Sequence, residues 1–286
     1  MANGPGYAKP AGGGASAGDA ALQMASDALE ANRLADAERL AGGVLNVNPR
    51  HPRALHIFGC AVLMQGRAKE AIAPLKEAAR GRHDPKIDTH LAVALRQAGH
   101  NNEALSRLKL ATKRQPPHAA AFHELGYLLF SMERYDEAIE ALNRGIEAAP
   151  MVPDLSIQLG YIYLQRNNHA GAKSAFARAL AIVPDSPDAL FGMGMAQVGG
   201  AEYQSAAESF RRSLRRRPED AGTWFNLGHC LLVLGQLDDG YECFRAAARG
   251  DARRYGHALT ALVKSGRGRF WLRPSDAARF LLGAKN

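Results

Sequence analysis

Apolar side chains recur along this chain at intervals of three and four, the spacing that lines one face of a helix. Between Ala119 and Val152, one such stripe runs through Phe122, Leu125, Gly126 and Leu129. A polar stretch, Glu133-Arg134-Tyr135-Asp136, interrupts it, and a second stripe follows through Ala138, Ile139, Leu142 and Ile146. Pro150 closes the unit, because proline has no N–H to donate and collides with a continuing helix. The pattern predicts two short helices joined by a few residues, which must run antiparallel. Gly126 and Ala138 are small enough to let them approach closely. Neither helix hides its stripe alone, so a neighbouring pair must cover it.

The unit recurs. Gly126, Gly160, Gly194 and Gly228 stand 34 residues apart, and Pro116, Pro150, Pro184 and Pro218 keep the same interval. So do Ala104, Ala138, Ala172 and Ala206, with Gly240 in the next register. Further back, Ala37 and Ala71 are 34 apart, and Ala71 to Ala104 is 33. Three columns sharing one period define a repeat. About seven units are predicted, at 18–51, 52–84, 85–118, 119–152, 153–186, 187–220 and 221–254. Residues 1–17, rich in Gly and Ala, read as a disordered leader. Residues 255–286 fall outside the period. Tyr255 to Lys264 reads as a helix covering the last unit, and Gly266-Arg267-Gly268-Arg269 breaks it. Phe270, Trp271 and Leu272 then precede a final helix, with Ser275 as its N-cap, through Ala277, Phe280 and Leu282.

Composition agrees with an all-α chain. Hydrophobic residues make up 47% and aromatics only 7%, and alanine with straight-chain residues favours helix over sheet. The net charge of +8 admits acidic protein or anionic lipid as partners without requiring either. Arg211, Arg212, Arg215, Arg216 and Arg217 crowd one helix with no acid among them, and the tail adds Arg267, Arg269, Arg273, Arg279 and Lys285. Solvated helix ends account for most such clusters; a docking patch is the sharper reading. Nucleic acid is disfavoured, since stacking aromatics near the arginines are few. Cys60, Cys230 and Cys243 form no CxxC and read as small buried hydrophobes of a reducing compartment. The N-terminal stretch shows neither the basic start nor the apolar core of a signal peptide, and no apolar run is long enough for a membrane span. Cytoplasmic residence is expected.

Chemistry is harder to find. Walker, GxGxxG, GxSxG and HExxH patterns are absent. The ten histidines read as scattered at no ligand spacing, none with a cysteine three or four residues away, so no metal site, cofactor or catalytic activity is expected.

The repeat resembles the tetratricopeptide repeat (TPR) family over roughly residues 18 to 254. The family's large–Leu–Gly–large–Ala–aromatic–Ala–Pro pattern reads Ser156, Leu159, Gly160, Tyr163, Ala172, Phe176, Ala179 and Pro184. In the last unit it reads Trp224, Leu227, Gly228, Leu231, Gly240, Phe244 and Ala247. The chain departs from the pattern at Ala21, Ala25, Ala28 and Ala41, a thin first unit, at Asp88 in a large position, and at His83, where a closing proline is missing.

The resemblance implies a right-handed α-solenoid whose first helices line a concave face. It places His56, Cys60, Leu63 and Met64 there in the second unit, and His123, Tyr127, Phe130 and Ser131 in the fourth. Ile157, Tyr161, Leu164 and Gln165 follow, then Phe191, Met195 and Val198, then Phe225, His229 and Leu232. Lys and Asn of the carboxylate-clamp type are missing, and only Asn226 stands in the column of an asparagine ladder. An apolar or amphipathic peptide segment is therefore the expected ligand of a scaffold or adaptor. The alternatives are a self-assembling scaffold joined through the C-terminal segment, and a regulatory subunit or chaperone of a separate enzyme.

Overall fold

A computed structural model describes residues 17–250, 252–264, 270 and 273–283. The predicted leader up to residue 16 lies outside the described residues, as do Arg267, Arg269, Trp271, Leu272 and Lys285. Ala17, placed in the leader by sequence, already begins the first helix.

Sixteen α-helices and no strand occur among the described residues. They fall into pairs: α1 (Ala17–Glu30) with α2 (Leu34–Val47), α3 (Pro52–Met64) with α4 (Ala68–Ala79), and α5 (Pro85–Gln97) with α6 (Asn101–Ala111). Then come α7 (Ala119–Ser131) and α8 (Tyr135–Ala148), α9 (Pro153–Gln165) and α10 (His169–Ile182), and α11 (Pro187–Gly199) and α12 (Tyr203–Arg216). The series ends with α13 (Ala221–Val233) and α14 (Leu237–Gly250), followed by α15 (Ala252–Lys264) and α16 (Pro274–Leu282). Two compact units are distinguishable, Met1–Glu124 and Leu125–Asn286, called unit 1 and unit 2 below.

One turn geometry joins the helices of every pair. Asn32, Gly66, Gly99, Glu133, Asn167, Ala201 and Gly235 all have positive φ and stand 33 or 34 residues apart. After Asn32, the N–H of Arg33 donates to the carbonyl of Ala28 while that of Asn32 donates to Leu29. After Ala201, Glu202 donates to Gln197 and Ala201 to Val198. Such Schellman closures satisfy the last carbonyls of a helix and reverse the chain within two residues. At the start of the next pair, proline occupies the first turn of α3, α5, α9 and α11, where its missing N–H costs nothing. The prolines thus open units as well as close them. Ser275 does not cap α16; that helix starts at Pro274, with Arg273 in the cap position and no side-chain cap bond.

Packing within a pair follows one rule. A methyl group placed on Gly59 would sit 2.6 Å from Leu75, on Gly126 2.9 Å from Leu142, and on Gly194 2.5 Å from Phe210. The glycine column is therefore a row of sockets, each filled by a large side chain of the second helix. Alanine does similar work in the thin first pair, where Ala25, Ala28, Ala37 and Ala41 are fully buried. Asp88, the anomalous acid, is buried too. Nε of Arg114 donates to it at 2.8 Å and Arg107 stands 3.7 Å away, so the charge has partners.

The end of unit 2 is closed by α15, which packs on α13 and α14, and by α16, which packs on α14 and α15. Phe270, Ala277 and Leu281 are buried there against Tyr241, Phe244, Ala258 and Leu262. The tail's apolar face is thus spent on covering the last pair, as an array terminus requires.

Candidate functional site

Within each unit, successive first helices approach one another: α1 meets α3 and α3 meets α5, while α9 meets α11 and α13 meets α15. Within each unit, among the described residues of the seven pairs, second helices make no comparable approach to the next second helix, so the first helices of a unit gather on one side of it.

The two sides differ in charge. In unit 2, α9, α11 and α13 contain no Lys or Arg, and their only acids are Asp154 and Asp188 in first turns. Two of the second helices are densely charged, α8 with Asp136, Glu137, Glu140, Arg144 and Glu147, and α12 with Glu208 and four arginines, whereas α10 has only Lys173 and Arg178. Ordinary solubility explains charged outer helices. It does not explain why Tyr127 and Tyr161 are exposed on the first helices.

The expected concave residues of unit 2 divide into two groups. Tyr127 and Tyr161 are 47% and 36% exposed, and His229 is exposed with its ring 6.3 Å from Tyr203. The Tyr161 hydroxyl donates to the carbonyl of Asp188 at 3.1 Å, fixing the ring across to α11. Burial pushes its phenol up to about 12. The others are half-buried and largely occupied. Ile157 and Leu164 pack against Ala172, Phe176 and Ala196; Phe191 and Met195 pack against the Ala206–Phe210 cluster; Phe130 meets Tyr135 edge-on at 5.6 Å. Phe225 lies between Phe244 at 5.3 Å and His257 at 6.2 Å, with the Arg254 guanidinium 5.8 Å over its ring. These five hydrophobes of α9, α11 and α13 hold helices together more than they face solvent. In unit 1, His123 is half-buried on α7.

The five arginines near the end of α12 are less free than the sequence implied. Arg216 pairs with Asp185 at 2.6 Å, Arg217 reaches both carboxylate oxygens of Asp188 at 2.7 and 2.9 Å, and Arg212 donates to the carbonyl of Pro184. Arg211 and Arg215 line a depression with Asp239 and Glu242. Glu208 is the one acid on the helix itself, and the partners of Arg216 and Arg217 come from the preceding connection, Asp185, and from the first turn of α11, Asp188.

Unit 1 contains a cluster that sequence scanning missed. His56 and Cys60 are four residues apart on α3, the spacing that puts two side chains on one face, so the reading of the histidines as lacking ligand spacing does not hold there. His90 joins them from α5. Its Nδ1 lies 2.8 Å from Nε2 of His56 and 3.2 Å from Sγ of Cys60.

Stacked antiparallel helix pairs with a left-handed closure every 33 or 34 residues define a helical-hairpin repeat protein. The family model for the tetratricopeptide repeat matches residues 22–85, 90–153, 123–187, 157–201 and 191–256, and the chain belongs to that family, in general one of non-catalytic protein-interaction scaffolds. It is similar to the small glutamine-rich tetratricopeptide repeat-containing protein 2 of Mycosarcoma maydis, 33% identical over 93 residues that cover 32% of this chain. The match spans 24% of that relative's length. Among solved structures it is similar to the C-terminal part of a TPR protein from Cytophaga hutchinsonii, with TM-score 0.66, 12% identity, and coverage of 84% of this chain and 99% of that one. The APC/C hetero-tetramer Cut9–Hcn1 gives TM-score 0.57 and 14% identity, covering 94% of this chain and 54% of that one. At these identities the structural likeness shows the fold alone. No described helix is long and apolar enough to cross a membrane.

Proposed function

We propose that the chain is an adaptor whose first-helix side in unit 2 holds an apolar or amphipathic segment of a partner protein. One observation carries the reading: exposed Tyr127 and Tyr161 stand on α7 and α9, whose only charged residues are Glu124 and Asp154, while α8 and α12 are heavily charged. Tyrosine suits such a role because it supplies a large contact area at small cost in rotamer entropy. An acidic tail would find no lysine or arginine on α9, α11 or α13, and Asp185 and Asp188 already pair with Arg212, Arg216 and Arg217. The Cut9–Hcn1 hetero-tetramer, a similar fold held in an assembly of unlike chains, supports the general role.

The test is binding of labelled amphipathic helical peptides, followed by fluorescence anisotropy. Replacing Tyr127 and Tyr161 together by alanine is expected to weaken binding by at least 10-fold, about 1.4 kcal/mol, with the helical CD spectrum unchanged. Equal binding by the variant, or preference for an acidic peptide, contradicts the reading.

A further inference from the structure

The His56–Cys60–His90 cluster plays no part in the proposed binding face. All three potential ligand atoms lie within 4.8 Å of one another. The His56 and His90 rings are near parallel, with centroids 5.0 Å apart and an interplanar angle of 27°, and the 2.8 Å approach of Nε2 to Nδ1 brings their nitrogen-bearing edges together. Two neighbours, Nε2 of His56 and Sγ of Cys60, converge on the single atom Nδ1 of His90. A neutral imidazole nitrogen offers either one in-plane lone pair or one N–H. It therefore serves one of these neighbours well and leaves the other poorly matched. A cation taking one lone pair from each of the three atoms removes the conflict.

We propose that His56, Cys60 and His90 form a three-ligand zinc site that ties α3 to α5 and leaves a fourth coordination position open to water. The dimensions are close to what the ion demands. Tetrahedral zinc with ordinary bond lengths sets two imidazole nitrogens about 3.3 Å apart, and a nitrogen about 3.6 Å from a thiolate. The observed 2.8 and 3.2 Å need to open by about half an ångström or less. The third edge, bounded at 4.8 Å, closes by a rotamer adjustment. One thiolate and two imidazoles are a donor set suited to zinc, rather than to the hard oxygen-seeking cations.

The surroundings support the assignment. Cys60 is buried while both histidines are half-buried, so an ion can enter from the histidine side. The Cys60 thiol gives its proton to solvent as the sulfur–zinc bond forms. Outside the cluster, the His118 imidazole, the Asp84 carboxylate and the Lys86 ammonium lie close enough to act on His90, the carboxylate opposing the other two.

The full-length chain, stripped with a chelator and kept reduced, is titrated with zinc chloride by calorimetry and with cobalt(II) by absorbance. One zinc per chain is expected, and cobalt is expected to show the near-ultraviolet charge-transfer band of a bound thiolate. Cys60→Ser and His90→Ala should each weaken zinc by at least about 100-fold, since even partners one shell out cost 10–100-fold, and each should abolish the cobalt band or shift it. Cys230→Ala and Cys243→Ala should leave both readouts intact. Where His90→Ala fails a CD check of folding, His56→Gln at its half-buried position serves instead. Zinc binding weaker than about 0.1 mM, or binding indifferent to Cys60→Ser and to the folded histidine variant, overturns the proposal.

Discussion

The ring of Phe176 gives the sharpest test of how the repeats hold together. It projects from α10 and is fully buried. A methyl group on Gly160 of α9 would lie 2.6 Å from it, and one on Gly192 of α11 only 2.3 Å. The ring is therefore wedged between first helices of two consecutive pairs, and neither helix offers it room to retreat. In an exposed helix, Gly→Ala gains about 1 kcal/mol of helix propensity. At Gly192 that gain is set against overpacking of a rigid aromatic, typically 1–3 kcal/mol and here toward the upper end. A net loss of about 1–2 kcal/mol from unit 2 is expected. Gly43 is the control. A methyl there meets nothing within 4 Å, so Gly43→Ala should stabilise by about 0.5–1 kcal/mol. Phe176→Ala, which empties the socket, should cost about 3–5 kcal/mol. Because two compact units are present, hydrogen exchange resolved by helix is the proper assay, with faster exchange in α9–α11 and little change in α1–α6. Combining Gly192→Ala with Phe176→Leu should cost less than the two single changes together by about 1 kcal/mol. Were Gly192→Ala as benign as Gly43→Ala, the wedge would not be what joins these pairs.

Three further outcomes follow from the same geometry. Ala201, in the left-handed region with φ 58°, carries a cost of about 1–2 kcal/mol that glycine avoids. Ala201→Gly should raise the melting temperature of unit 2, with a net gain of about 0.5–1 kcal/mol after the added freedom of the unfolded chain; a lowered melt counts against the turn assignment. Asp88→Ala should destabilise unit 1 by about 2–3 kcal/mol, below the usual cost of breaking a buried pair because Arg107 and Arg114 keep partial access to water; Asp88→Leu, which fits the family's large position, should cost less in the same urea titration. Tyr161 ionises at about 12 when folded, chiefly through burial, against about 10 in an unfolded chain. Its contribution to stability is complete below about pH 10 and is lost as pH climbs toward about 12. An ultraviolet pH titration should show this late-titrating phenol in the wild type and not in Tyr161→Phe.

Sequence carried the architecture because two kinds of position tolerate little variation. The sockets at Gly126, Gly160, Gly194 and Gly228 admit no Cβ without displacing Leu142, Phe176, Phe210 or the Gly240–Phe244 segment, so the 34-residue column is visible by eye. The left-handed turn column is just as regular in space, yet Asn32, Glu133, Asn167 and Ala201 stand in it beside three glycines. Its composition hides it. Gly192 was equally opaque, since its partner Phe176 belongs to the preceding pair. Charge misled for the same reason: the acids that answer Arg216 and Arg217 stand 31 and 29 residues earlier, at Asp185 before α11 and Asp188 in its first turn, and periodicity along one helix cannot reveal them. On the first helices, the sequence pattern grouped these aromatics but did not give their depth. Phe191 and Phe225 share the side with Tyr161, but the aromatic partners Phe210 and Phe244 from the second helices bury much of them.

The direct measurement is photocrosslinking with a benzoylphenylalanine residue placed at Tyr161 on α9, or at exposed Arg178 on the opposite helix α10, in the presence of an amphipathic helical peptide. The adaptor account expects an adduct from position 161 and none from position 178. An adduct from position 178 alone would place the binding surface on the charged side and contradict it.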